Sequence, residues 1–363
     1  MIWTKISSFG IVAISAFSTL ASAAWNLSAN NNVALYWGQN TFGAISNNTA
    51  KLQKDLLYYC KQPDVDLIPI AFLHKWGPDG GTPLVNFANS CTGWQMFVGT
   101  DLLYCPTISQ DIIKCQRTYK KKILISLGGG MPGYGGVANG TDAKLFAEKV
   151  WAMFGNQWHY FRPFGEAIVD GFDLDFENGP AAGYENIAYR LRQLMNDDKA
   201  KTGKEWILTG APQCPQPDSM LDVALRNTVF DAIFVQFYNN PSCQASNWVL
   251  GKDQTTNAGF NFAMWDAYAK KSKNPKMKVF LALPLAGQIA TGYVSRSKAA
   301  RIIGDLKRYT NFGGFAAWDA SLTDLNSGYV SYLKKALKTQ PIPVLPKVVK
   351  RKADFAIHGH SHL

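Results

Sequence analysis

The chain of 363 residues has little histidine: five in all, with His358, His360 and His362 crowded into the last six positions. Only His74 and His159 remain in the body, and each reads as a surface or capping residue. A Ser-His-Asp nucleophile or a histidine-rich metal centre therefore has almost nothing to be built from. The six cysteines contain no C-x-x-C pair, so zinc-ligand spacing is missing as well, and no metal or other cofactor is implied. Past the N-terminal stretch, no run approaches the roughly 18 consecutive apolar residues that a membrane-spanning helix needs. Basic residues are scattered, not clustered with stacking aromatics, which argues against a nucleic-acid partner. The net charge of +11 overstates the body: Lys5 and the tail after Pro341 carry four of those charges, leaving +7. A mildly basic surface of this kind can help approach to an anionic matrix.

What is present begins with a targeting signal. Lys5, an apolar stretch over residues 6–20 and then Ala21-Ser22-Ala23 describe a cleaved signal peptide over residues 1–23, with Ala24 as the next choice of cleavage point. Three Asn-x-Ser/Thr sequons, at Asn26, Asn47 and Asn139, agree with a secretory route. In a secreted chain, Cys60, Cys91, Cys105, Cys115, Cys214 and Cys243 read as three disulfides, and spacing alone leaves fifteen pairings open. The expectation is a secreted, soluble monomer.

Short β-rich segments alternate with helical runs. Strands are expected near residues 33–37, 67–72, 123–127, 171–177, 206–210, 232–238, 279–283 and 314–318. Amphipathic helices are expected over residues 144–153, 184–195, 262–272 and 296–308. Eight strands, each followed by a helix, give the count and length of a single-domain (β/α)8 barrel. A doubly wound open sheet is the competitor. The run Gly128-Gly129-Gly130-Met131-Pro132-Gly133 matches its glycine fingerprint by letter, but Tyr134-Gly135-Gly136 follow it, so no helix opens there. In a barrel, chemistry belongs at the C-terminal ends of the strands. Glu177, Tyr238, Trp318 and the glycine run at 128–130 all fall at such ends.

The densest chemical signal is Asp170-Gly171-Phe172-Asp173-Leu174-Asp175-Phe176-Glu177. On a strand, Asp173, Asp175 and Glu177 share one face, while Phe172, Leu174 and Phe176 share the other. The flanking Ala167, Ile168 and Val169 make this a strand buried on both sides. Adjacent buried carboxylates must push at least one pKa upward, which suits an acid working near neutral pH. A hydrogen-bonded structural cluster and an oxygen-ligand metal site are the weaker readings.

Ser126-Leu127-Gly128-Gly129-Gly130 followed by the acid run resembles glycoside hydrolase family 18. Residues 36–40 (Tyr-Trp-Gly-Gln-Asn), 211–215 (Ala-Pro-Gln-Cys-Pro) and 235–241 (Val-Gln-Phe-Tyr-Asn-Asn-Pro) are similar to its plant and fungal class III chitinases. The matches run from about residue 33 to 337. The resemblance implies that Glu177 is the general acid and that Asp175 orients the substrate's 2-acetamido group. It implies that Asp173 shares a proton with Asp175, and that the Tyr238 hydroxyl bonds the acetamido carbonyl. Trp318 is implied as the floor under the sugar, with Gln236, Tyr36, Gln39 and Asn239 lining the groove. The substrate implied is chitin or chito-oligosaccharide. The same resemblance supports pairing Cys60–Cys115, Cys91–Cys105 and Cys214–Cys243. One departure is Asp319-Ala320-Ser321-Leu322, which differs from the usual plant version.

About a dozen residues separate the seventh strand from its helix, so there is no room for an α+β insertion module, and an open groove with internal cleavage is expected. The alternatives are a non-catalytic chitinase-like lectin or inhibitor, and an endo-β-N-acetylglucosaminidase acting on N-glycans. The catalytic barrel is expected to occupy residues 24–340, closed by a helix over 328–338. Beyond it the basic, His-containing tail 341–363 is expected to be disordered and dispensable. No separate binding module is expected after the barrel, so attachment to insoluble chitin is expected to use the groove alone.

Overall fold

The computed structural model describes residues 25–76, 81–93, 95–131, 140–179, 181–252 and 255–339. The signal peptide, the Asn139 sequon and the C-terminal tail lie outside the described residues. Nine strands form one sheet: β1 (Asn32–Leu35), β2 (Leu67–Lys75), β3 (Leu84–Val85), β4 (Lys122–Gly129), β5 (Gly171–Phe176), β6 (Ile207–Gly210), β7 (Ala232–Gln236), β8 (Lys278–Pro284) and β9 (Phe312–Trp318). All but β3 are parallel, and β1 pairs with both β2 and β9, so eight strands close into a barrel. The short β3 is an antiparallel addition to the far end of β2.

Nine α-helices ring the barrel among the described residues: α1 (Thr41–Ile45), α2 (Leu56–Cys60), α3 (Pro106–Arg117), α4 (Gly140–Phe154), α5 (Tyr184–Thr202), α6 (Asp222–Asn227), α7 (Phe262–Lys271), α8 (Arg296–Leu306) and α9 (Tyr329–Lys338). Their boundaries follow local chemistry. α3 opens on Pro106, whose missing N–H costs nothing in a first turn, and buries Ile108, Ile112 and Cys115 at helical spacing. The Ser295 side chain caps α8 by accepting from Lys298 N–H, and Gly203 ends α5 at φ 74°.

Period-two alternation divides the sheet's side chains into two cores. Val33, Leu35, Phe172 and Leu174 face the helices, whereas Ala34, Tyr36, Leu124, Phe234 and Phe280 fill the barrel. Trp25 stacks on Phe280 with centroids 5.4 Å apart. The three disulfides are Cys60–Cys115, Cys91–Cys105 and Cys214–Cys243, as the resemblance implied. Only residues 285–295 join β8 to α8, and no insertion module stands there.

Two expectations shift. Gly128 and Gly129 do not follow the third barrel strand but lie inside it, at φ 108° and 105°. A Cβ on Gly128 would sit 2.4 Å from the Asp175 carbonyl oxygen, so the close approach of β4 to β5 requires glycine. β5 and β7 end at Phe176 and Gln236, which leaves Glu177 and Tyr238 just beyond their strands, where the backbone turns outward.

Candidate active site

β5 aims Asp173 and Asp175 into the barrel, and Glu177 continues the line at its rim. Asp173 sits deepest and is fully buried. Strand register sets its partners, since Ser126 of β4 and Thr209 of β6 lie level with it on either side. Asp173 accepts hydrogen bonds from Ser126 Oγ (2.7 Å), from Tyr36 Oη (2.8 Å) and from Thr209 Oγ1. Burial still pushes its pKa up, with the three hydroxyls pulling the other way. Asp173 thus has three hydroxyl donors at the depth where the resemblance places a proton shared with Asp175.

Asp175, also buried, accepts from Gln236 Nε2 at 3.0 Å, and the same amide donates to the Ala211 carbonyl at 3.0 Å. Its pKa is pushed well above the usual carboxylate range by burial, then by the negative charges of Glu177, Asp173 and Asp218. Glu177 is half-buried. Burial raises its pKa too, opposed by hydrogen bonds from Gln213 and Gln236. Gln213 Nε2 lies 3.3 Å from Glu177 Oε2. A Cβ on Gly130 would reach within 3.3 Å of Glu177 Oε1, so this glycine clears space for the carboxyl.

The aromatic residues gather over the acids. Tyr238 is buried, and among the described residues its hydroxyl has no hydrogen-bond partner in the protein, leaving it able to donate into the cavity. Burial and the charges of Glu177, Asp175 and Asp173 hold that hydroxyl protonated. The half-buried Trp318 ring stacks on Phe72 (5.7 Å between centroids, 19° between planes) and tilts against Tyr36 at 5.5 Å. Cis peptide bonds precede Phe72 and follow Trp318.

Two groove candidates have structural roles in the structure. The Gln39 amide nitrogen is committed to backbone carbonyls of Ala71 (2.9 Å), Asn86 (3.0 Å) and Gly38 (3.3 Å). Asn239, exposed and left-handed at φ 59°, exchanges two hydrogen bonds with the Thr291 backbone and ties the loop after β7 to the loop after β8. Of the two body histidines, His74 is half-buried, and burial pushes its pKa down to about 4. Asn26 and Asn47 are exposed.

Several site residues escaped the sequence. Gln213 sits inside a segment singled out for other reasons, and Asn240 Nδ2 donates to its Oε1 at 3.2 Å, which turns its N–H2 toward Glu177. Asp218, buried behind them, accepts from the backbone N–H groups of Gln213, Met220 and Leu221. Thr209 and Phe72 carried no local signal, and Ser126 stood in a quoted motif without a role of its own. Each is an ordinary strand residue whose meaning depends on its neighbour.

A family model described as "Glycosyl hydrolases family 18" matches residues 32–342. The chain is a member of that family. Among similar family 18 proteins is a "Class III chitinase" of Arthroderma benhamiae, 38% identical, with the match covering 90% of this chain and 91% of that one. "Endochitinase 33" of Trichoderma harzianum is 37% identical, covering 88% and 95% respectively. Among solved structures, the ICChI chitinase of Ipomoea carnea superposes with a TM-score of 0.65 at 28% identity, covering 84% of this chain and 99% of that one. Family membership and chitinase-named relatives support a glycoside hydrolase.

Proposed function

We propose that this protein is a secreted, endo-acting chitinase that hydrolyses β-1,4 linkages between N-acetylglucosamine units with retention, through the substrate's own acetamido group. The observation that carries the reading is the graded line of carboxyls on one strand, all with pKa values raised. Glu177, at the rim and in contact with solvent, protonates the glycosidic oxygen, and the leaving chain departs as an alcohol. The acetamido carbonyl closes on the anomeric carbon, in place of the protein nucleophile of other retaining enzymes. Asp175 receives the acetamido N–H as positive charge develops, and the free Tyr238 hydroxyl donates to the carbonyl oxygen. Water then opens the cyclic intermediate, giving its proton back to Glu177. Asp173, locked by its three hydroxyls, supplies negative potential behind Asp175. Trp318 presents an aromatic face to the sugar's apolar C–H surface.

The short connection between β8 and α8 leaves no wall over the cleft, which supports internal cleavage. Disulfides and the N-terminal signal support secretion. The test is incubation with colloidal chitin and with soluble N-acetylglucosamine oligomers. An endo-chitinase releases short oligomers while solution viscosity falls early. A binding-only protein releases nothing, and an enzyme restricted to N-glycans cleaves only the glycoprotein control.

A further inference from the structure

The connection from α4 to β5 forms an aromatic hollow away from the acid cluster. It precedes Gly171, at the end of the barrel where strands begin, whereas Glu177 follows Phe176. The hollow's other wall comes from the connection leading to α3, and none of the lining residues belongs to the acid cluster. The hollow encloses about 430 Å³ and is walled by Phe97 and Tyr104 on one side and by Gln157, Trp158, Tyr160 and Glu166 on the other.

The loop is built to hold its shape. Arg162, buried beneath it, donates to five carbonyls: Ala152 (2.8 Å), Gly155 (3.0 Å), Gln157 (2.7 Å), Gly165 (2.7 Å) and Ala167 (3.0 Å). The Phe161 backbone N–H donates to His159 Nδ1 at 3.1 Å, closing the turn. Phe97 anchors the opposite wall through edge contacts with Tyr104, Tyr160 and Phe161 at 5.5–5.8 Å, and Cys91–Cys105 fastens the segment bearing it. Yet this rigid frame turns its apolar rings outward: Trp158 is 84% exposed and Tyr160 61%. Large aromatics cluster this openly where something binds.

We infer that this hollow is a second carbohydrate site, which takes a β-1,4-linked N-acetylglucosamine chain at the surface of insoluble chitin; the inference rests on the chitinase reading above. Charge favours this occupant. Among the described lining residues Arg162 is the one Lys or Arg, and it is buried and turned to backbone carbonyls, so these residues form no cation cluster for an anionic membrane or a nucleic acid. Exposed ring faces suit the C–H faces of pyranoses, and the amide of Gln157 and the carboxylate of Glu166 suit hydroxyls and acetamido N–H groups. Preorganisation lowers the entropy lost on binding. The groove would then share the task of holding the enzyme on its solid substrate.

The experiment compares Trp158→Ala/Tyr160→Ala with the parent chain, both on a Glu177→Gln background that does not erode the solid. Adsorption to crystalline chitin should fall about tenfold, with no change in melting temperature. With Glu177 restored, the paired substitutions should leave kcat/KM on soluble oligomers unchanged and slow release from crystalline chitin. Trp158→Phe, which keeps a stacking ring, should recover most of the adsorption. Unchanged adsorption alongside normal hydrolysis overturns the second site and leaves the chitinase reading intact. So does an equal loss of adsorption to cellulose, or the dissociation of a dimer by the same substitutions, which would make the face a self-interface. Absence of hydrolysis of soluble oligomers by the parent sinks the chitinase reading itself.

Discussion

The barrel buries acid groups at both of its ends and treats them in opposite ways. Where the strands begin, Asp66 is 1% exposed and forms an ion pair with the equally buried Lys334 of α9. Asp66 also accepts the Val33 N–H at 2.7 Å, while Lys334 reaches the Asn31 carbonyl at 2.8 Å, so the pair sews the last helix onto the first strands. Where the strands end, Asp173, Asp175 and Glu177 form no ion pair among the described residues. Their partners are neutral hydroxyls and amides. Burial pushes the pKa of all these carboxyls upward, Asp66 included; at Asp66 the charges of Lys334 and Lys121 pull the other way, whereas at Asp175 the neighbouring carboxylates add to the rise. Equal burial thus produces a fastener at one end and a proton store at the other.

The largest effect that would break this comparison comes from Glu177→Gln. The amide keeps shape and removes the transferable proton, so turnover on soluble oligomers should drop by about 10² to 10⁴-fold with folding intact. Retention of a tenth of turnover would remove Glu177 from its role.

At the other end, Lys334→Met removes the ion-pair partner of the buried Asp66 and leaves it only the weaker charge of Lys121. Stability should fall by about 3–5 kcal/mol in denaturant titrations, while kcat of the remaining folded protein stays at the parent value. A lowered kcat at full stability would show that the two ends are not separate.

A subtler pair of substitutions sharpens the account of the acids. The Gln213 N–H favours the Glu177 anion, so Gln213→Leu should raise the Glu177 pKa and carry the alkaline limb of the pH–rate profile upward. The negative charge of Asp218 disfavours ionisation of both Asp175 and Glu177. Asp218→Asn should therefore carry that limb downward. Shifts in the same direction would contradict the electrostatic assignment, whereas an unmoved profile with reduced kcat would mark both residues as merely structural.

The smallest effect is expected from ending the chain after Gln340, since α9 closes the barrel at Lys338. Melting temperature and oligomer hydrolysis should match the full chain, and a fall of more than about 5 °C would place part of the tail in the fold.

How much of this was written locally can be judged residue by residue. The shared face of Asp173, Asp175 and Glu177 was legible because side-chain alternation is a property of one strand's own dihedrals. The strand count and the helical runs were legible for the same reason, as was the position of Trp318 at a strand end. Short helices such as α2 and α6 were not, because five or six residues carry too little periodicity to register. Gln39 was implied as groove-lining by the resemblance alone, and only the tertiary structure shows its amide nitrogen bonded to backbone carbonyls from distant segments.

The primary structure by itself determined a (β/α)8 barrel with an acid line on its fourth barrel strand, because pattern and period act within one segment. Only the tertiary structure decided which atoms neutralise that line. Barrel closure and register bring Ser126, Thr209 and Tyr36 to the depth of Asp173, and they turn Gln213 onto Glu177 through Asn240. Those contacts join residues tens to more than a hundred positions apart, and no local propensity encodes the relative height of two neighbouring strands.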